Sequence, residues 1–228
     1  MPLLGTAAML LSFDVAAEAV AEHDDWHTQE HLPERLSIPG FLRGSRWIGT
    51  QGQPRYLVLY EVAALATLTS AAYLERLNHP SEWTRRIMPH YRGMKRGFCA
   101  VSGGFGSGLG HAALLVRLGT EPGAEEGLRR WLLREALPAL PSLPGVGSVH
   151  LLEGAATPPM TNEQRIRGAA DAGIDWALLV TGYRPEVLEE QGQAALGAPA
   201  LQARGATGVS AAMYRFDYSV SQGECSGP

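Results

Sequence analysis

Apolar residues in this chain gather in short continuous runs. Ala7–Val15 reads AAMLLSFDV, residues 112–118 read AALLVRL, Tyr56–Val62 reads YLVLYEV, and residues 176–183 read WALLVTGY. Runs of this length, rich in branched and aromatic side chains, predict buried strands. Further strands are predicted at 42–48, 97–103, 147–152 and 209–218, and helices at 65–77 and 186–196. A helical motif follows each of the two leading strands. The predicted order is β-α-β-β-α-β, twice.

The two halves share residues as well as order. Residues 30–40 read EHLPERLSIPG and residues 135–145 read EALPALPSLPG. An offset of 105 carries Glu30 onto Glu135, Pro33 onto Pro138, Pro39 onto Pro144 and Gly40 onto Gly145. The same offset carries Trp26 onto Trp131 and Gly49 onto Gly154. A gapless register of this kind marks an internal repeat. The fold class expected is α+β, with two tandem ferredoxin-like (βαββαβ) halves. Each half leaves one sheet face bare. Two halves in one chain can bury those faces on each other and close a pseudo-dimeric α+β barrel around a cavity.

The domain boundaries follow. Residues 1–103 form the first half and the expected site, and the Gly/Ser run at 104–110 reads as a flexible linker. Residues 111–220 form the second half, with an insertion at 157–175 that reads as a long loop with room for a short helix, of the kind that serves as a lid. Residues 221–228 read as a disordered tail.

Composition adds exclusions. The chain has 228 residues, 45% hydrophobic and 18% charged, with a net charge of −4. No basic stripe favours a nucleic-acid partner. No apolar stretch approaches membrane-spanning length, so no membrane partner is expected. Two distant cysteines, Cys99 and Cys225, make no disulfide framework, which fits a cytoplasmic setting. Cys99 reads as a small buried hydrophobe. The repeat makes either a monomer or a homodimer sufficient for the fold.

The halves diverge in one informative place. At the 105 offset His23, His27 and His31 face Leu128, Leu132 and Ala136. Spaced by four, the imidazoles share one helical stripe. The second copy indicates that the fold does without them. His31 is the leading candidate for general acid/base work, since imidazole titrates near neutral pH. Tyr60 and Arg46 are the companions expected to handle a substrate oxygen. Trp26, His27, Tyr73 and Trp83 are expected to shape a binding pocket. The plain readings stand beside these. Asp24 or Asp25 caps the helix and leaves His23 outside it, and His23 and His27 are solvated. Arg35 and Arg46 pair with Glu34 or Glu61 at the surface. Trp83, in PSEWT with Ser81 as N-cap, mainly packs. The basic stretch from Arg85-Arg86 to Lys95-Arg96 is a solvated helix face. HTQEH lacks the glutamate placement of a zincin helix, so no metal site is assigned, although His79 and His90 leave a divalent metal as an alternative.

The run Trp26-x-x-x-Glu30-His31-Leu32-Pro33-Glu34-Arg35, with Ile38-Pro39-Gly40-Phe41 and Arg46, resembles the dimeric α+β barrel proteins. It is most similar to those of the ethyl tert-butyl ether degradation type. Tyr60-Glu61, Ser70, Tyr73 and Pro80-Ser81-Glu82-Trp83-Thr84 extend the likeness through the first half; only the helix motif carries it into the second. The resemblance implies the barrel fold and a range of activities: cofactor-free monooxygenases, isomerases, cyclases and haem enzymes. The expected function is a cofactor-independent enzyme acting on a small apolar or aromatic molecule by His-mediated acid/base chemistry, as an isomerase, cyclase, lyase or monooxygenase. No organic cofactor is expected. A non-catalytic small-ligand or stress-response module, and a haem-binding protein, are the alternatives.

Overall fold

The computed structural model describes residues 3–52, 54–156, 160–168 and 171–225. Eight strands form one closed antiparallel barrel: β1 (Ala7–Val15), β2 (Phe41–Gly49), β3 (Tyr56–Val62), β4 (Tyr91–Gly106), β5 (Ala112–Thr120), β6 (Val146–Ala155), β7 (Trp176–Gly182) and β8 (Ala206–Ser221). Their order around the barrel is β1-β3-β2-β8-β5-β7-β6-β4. Adding four to each strand number leaves that circular order unchanged. β2 pairs with β8, and β4 with β6, so each half's outer strands are satisfied by the other half. No helix among the described residues is long and apolar enough to cross a membrane.

Alternation along each strand separates three cores. One fills the barrel: Leu10, Trp47, Leu57 and Leu59 from the first four strands meet Leu115, Leu152, Leu179 and Tyr214 from the last four. Trp47 faces this interior while its neighbour Arg46 points outward, as a two-residue period requires. The other two cores lie outside, each between a sheet and its own helices. The bare sheet faces are therefore buried on each other. They fill the barrel, and the site cavity expected there lies instead in the first outer core.

The helix after β1 spans residues 20–36 and begins with a 3-10 turn at Ala17–Ala19 that has no side-chain cap. Asp24 and Asp25 thus lie within the helix, and His23 is part of it. Five residues, His27–His31, form a π turn just before Pro33; Leu132–Ala136 form the matching one just before Pro138. Proline lacks an N–H and its ring crowds the carbonyl four residues back, which a wider turn accommodates. Each helix then ends in a Pro-Gly turn. Gly40 and Gly145 adopt φ of 91° and 112°, which a side chain disfavours. At Gly44 on β2 a Cβ would come within 2.5 Å of Leu32, so this glycine lets the helix sit close on the sheet.

Other expectations shift. Residues 65–77 hold a 3-10 turn and a separate helix, Ala71–Asn78, whose cap Ser70 accepts from the Tyr73 N–H. Ser81 caps Glu82–Ile87 as the PSEWT motif suggests. The basic stretch is no single helix face: Lys95 and Arg96 belong to β4, and Arg96 is buried. The glycine run is not wholly a linker, because Gly104, Phe105 and Gly106 pair with β6. In the tail, Ser221 closes β8 and Gln222–Cys225 form a helical turn. Residues 226–228 of that tail, with 157–159 and 169–170 of the insertion, lie outside the described residues.

Candidate functional site

A cavity lies between the helix of residues 20–36 and the outer face of the first sheet. Its walls include His27, His31 and Arg35 from the helix, Met9 from β1 and Tyr60 from β3. Tyr73, Met88 and Tyr91 close one side, and Glu163 and Arg167 close another. The space open to the centres of water-sized molecules is only about 30 Å³. That is enough for ordered water and too little for an organic molecule.

His23, His27, His31 and Arg35 follow one another at four-residue steps along the helix. All four are buried, so His23 and His27 are not solvated and Arg35 is no surface residue. The sequence hides this because their partners are distant. His23 Nδ1 lies 3.2 Å from Asp24 Oδ1, and its Nε2 lies 3.2 Å from the Tyr91 hydroxyl. The carboxylate fixes the proton on Nδ1, so Tyr91 donates to Nε2. His27 Nδ1 sits 3.3 Å from Arg46 Nη1, and its Nε2 sits 3.4 Å from the Tyr60 hydroxyl. Arginine only donates, so His27 carries its proton on Nε2, directed at the Tyr60 oxygen. This leaves the Tyr60 proton free for a ligand.

His31 differs from both. It lines the cavity, is 8% exposed, and its Nδ1 is buried without a hydrogen-bond partner. The Trp26 ring packs 4.3 Å from it, centroid to centroid. Trp26 is itself held by donation to Glu30 Oε1 at 3.1 Å and Thr84 Oγ1 at 3.3 Å. Burial holds the pKa of His31 well below the usual imidazole range, and the Arg35 charge lowers it further. Burial does the same to His27, helped by His23 and Arg46. Both rings are neutral at pH 7. Burial raises the Tyr60 hydroxyl, which stays protonated.

Arg35 donates to Glu34 Oε2 at 2.8 Å and, through its other terminal nitrogen, to Glu163 Oε1. Glu163 belongs to Asn162–Arg167, the short helix of the insertion. That helix contributes Glu163 and Arg167 to the cavity wall. The Pro, Asn and Arg-rich insertion was legible in sequence; its docking on Arg35, 128 residues away, was not. Arg96 also lines the cavity, with its Nε 3.1 Å from Asp171 Oδ2. Arg167 donates to both Asp171 oxygens, at 2.7 and 2.9 Å.

Of the other sequence candidates, Tyr73 lines the cavity and donates to Met9 Sδ at 3.2 Å. Arg46 stands behind His27 and bonds Asp217 Oδ2 at 2.6 Å; Arg43, not Arg46, pairs with Glu61. Trp83 packs on the helix layer at its edge and donates to Glu22 at 3.1 Å, away from the cavity walls. His79 is exposed and bonds the Glu75 carbonyl. No group of three His, Cys, Asp or Glu side chains among the described residues is arranged to hold a metal. Cys99 is buried in the barrel core, where burial pushes its thiol up to about 12.

The fold is that of the dimeric α+β barrel proteins. An anthrone oxidase-like protein matches at TM-score 0.70 and 11% identity, over 99% of this chain and 97% of its own. A candidate monooxygenase from Lactobacillus acidophilus matches at TM-score 0.58 and 9% identity, over 95% and 96%. A chlorite dismutase from Candidatus Nitrospira defluvii, solved with cyanide, matches at 0.56 and 12%, over 93% and 90%. No family model and no curated protein matches the sequence.

Proposed function

We propose that the first half is a cofactor-independent enzyme that removes a proton from a small apolar or aromatic molecule, with His31 as the base. The observation carrying this reading is a neutral, unpartnered imidazole on a cavity wall, at a position where the second half has Ala136. The chain is read as a tandem duplication of a ferredoxin-like module of the ethyl tert-butyl ether degradation type. The spacing supports this: β1 and β5, and the helices beginning at 20 and 125, stand 105 residues apart. The barrel closes within one chain, so a monomer suffices.

The chemistry follows from the protonation states. Neutral His31 accepts a proton from an acidic C–H or O–H of the substrate. The negative charge left behind moves to a substrate oxygen, to which Tyr60 donates its hydroxyl proton in a hydrogen bond. His27 orients the Tyr60 oxygen, and Arg46 fixes the His27 tautomer; both are positioning residues. Trp26 sets the plane of His31. Return of the proton to a different atom is an isomerisation. The same carbanion is what an oxygenase presents to O₂, and the anthrone oxidase-like and monooxygenase neighbours make that outcome attractive.

Haem was the other option opened by the resemblance. His31 is a suitable donor type, but Tyr60, Met88 and Arg35, none of them part of the insertion, close the space beside it. A tetrapyrrole does not fit there, and no step is derived through one.

Methyl phenylpyruvate and anthrone are neutral probes with an acidic benzylic C–H. In D₂O, proton NMR reads deuterium uptake at that carbon. The protein is expected to accelerate uptake, and His31→Gln to slow it by about 10²–10⁴-fold, the usual scale of general-base catalysis. The rate is expected to stay level from pH 8 down through 6.5, because burial keeps His31 unprotonated there. Binding of the probes without accelerated exchange would leave a binding module in place of an enzyme, and accelerated exchange indifferent to His31→Gln would remove His31 as the base.

A further inference from the structure

We infer that the substrate is a monocarboxylic acid, and that the lid carboxylate of Glu163 holds the substrate's place on Arg35 until it arrives. This rests on the acid/base reading of the same cavity and names the class of molecule it takes.

Position 35 is the first ground. At the 105 offset stands Leu140, buried in the second outer core. The fold therefore accepts an apolar side chain at this point, and desolvating a guanidinium there costs stability that leucine does not. Arg35 is 1% exposed and lines the cavity one helical turn beyond His31. Its charge serves the cavity.

The charge balance is the second. Three guanidiniums line the cavity: Arg35, Arg96 and Arg167. Three carboxylates meet them: Glu34 and Glu163 on Arg35, and Asp171 on the other two. Glu34 is the neighbour of Arg35 on the same helix and stays with it. Glu163 comes from the insertion. When it leaves, the cavity is one positive charge in excess, which one monoanion restores.

The way the lid is held is the third. Asn162 bonds Asn78 at 3.2 and 2.7 Å, and Gln164 bonds Asp171 at 2.9 Å. Ile166 is the lid-helix residue that packs on the apolar core. Of the contacts that hold this helix, the Glu163 ion pair with Arg35 is the one a ligand carboxylate can take over. The closed cavity is small because Glu163 and Arg167 form part of its wall.

A guanidinium suits a planar carboxylate, and Arg35 gives one terminal nitrogen to Glu163 and the other to Glu34. His31 lies four residues away, about 6 Å along the axis. The acidic C–H therefore sits a bond or two from the carboxylate, as in an aryl 2-oxo acid, and the apolar body rests against Met9, Tyr73 and Met88.

Benzoate and benzamide, titrated calorimetrically, separate charge from shape. Benzoate is expected to bind in preference to benzamide. Glu163→Gln, which keeps the lid's shape, is expected to tighten benzoate by about tenfold or more, the scale of one charge-assisted hydrogen bond. Arg35→Leu with Glu163→Gln, which removes both charges of the pair and leaves Glu34 with Arg76 at 4.0 Å, is expected to lose the preference. Equal binding of acid and amide, or a benzoate affinity unmoved by Glu163→Gln, overturns the inference. The exchange assay keeps the two readings apart. If methyl phenylpyruvate exchanges through His31 but phenylpyruvate gains nothing from its carboxylate, the acid/base reading stands and this one fails. If benzoate binds through Arg35 while neither compound exchanges, the carboxylate site stands and the enzyme does not.

Discussion

His23, His27, His31 and Arg35 face the first sheet; Leu128, Leu132, Ala136 and Leu140 occupy the same stripe over the second. The backbones beneath them are alike. Both helices carry a π turn at matched residues, both have proline in the turn that follows, and both end in a Pro-Gly reversal at positive φ. A π turn is often taken as a mark of function. Here it occurs over both cores, including the one whose stripe is apolar, so it belongs to the fold. The proposed chemistry rests on the side chains laid on that shared frame, and on an insertion that the second half alone carries.

The comparison is broken most directly by writing the second stripe into the first. A variant combining His27→Leu, His31→Ala, Arg35→Leu and Glu163→Gln should keep the far-ultraviolet circular dichroism of the barrel. Its exchange activity should fall by about 10²–10⁴-fold, as loss of the base alone predicts. Retained activity would mean that the stripe is not where the chemistry resides.

Stability separates the pair from its members. Arg35→Leu alone leaves Glu163, 4% exposed, without its cation. Breaking a buried pair from one side costs about 3–5 kcal/mol, read by urea unfolding. Arg35→Leu with Glu163→Leu removes both charges, leaves Glu34 with Arg76 at 4.0 Å, and should recover most of the loss of about 3–5 kcal/mol. A double variant as weak as the single one would mark the ion pair as part of the fold's own stability.

Acid sharpens the contrast from the other side. The barrel interior of the second half holds one imidazole, His150, fully buried with neither ring nitrogen hydrogen-bonded; its offset partner is Ser45. Burial lowers its pKa to about 4. A depressed histidine is protonated first in the unfolded chain, so stability is complete above pH 6.5 and is lost as pH falls from there toward 4. A shift of that size corresponds to roughly 3 kcal/mol. His150→Leu should remove this share of the acid sensitivity, measured as urea midpoints between pH 7 and 4. His23, His27 and His31 are depressed in the same direction, so they add acid sensitivity in the first half.

Much of the fold was legible because buried strands announce themselves as apolar runs. β1 and β3 occupy the very segments AAMLLSFDV and YLVLYEV that the pattern marks. The start of the helix at 20–36 was not, because no side chain caps it and Asp24 and Asp25 imitate caps further along. The Gly104–Gly106 strand end was hidden by its composition; its pairing with β6 depends on barrel closure. In the site, the halves' divergence pointed to His31 without any coordinates. Burial of Arg35 could not be read, since Glu163 lies 128 residues away, and Arg46 is turned from the cavity by Asp217, 171 residues away. Local pattern reports which face a residue occupies; pairing between distant segments decides what that face meets.

The smallest effect runs the exchange in reverse. Leu132 is fully buried in the second outer core, at the position of His27. In the first half the His27 ring is satisfied by Arg46 on one nitrogen and Tyr60 on the other. The second half offers neither, since Leu151 and Val180 stand at the positions of Arg46 and Tyr60, at offsets of 105 and 120. Leu132→His therefore buries an imidazole with no donor or acceptor to meet it, at a cost of about 1–3 kcal/mol. Supplying the partners as well, with Leu151→Arg and Val180→Tyr, should not restore that loss, because an arginine there also lacks the carboxylate that Asp217 gives Arg46. Urea unfolding of the two variants decides it. If the triple variant regains wild-type stability, the second core could carry the polar stripe, and its apolar state is incidental. If it does not, a histidine stripe requires the distant carboxylates that the first half alone has gathered.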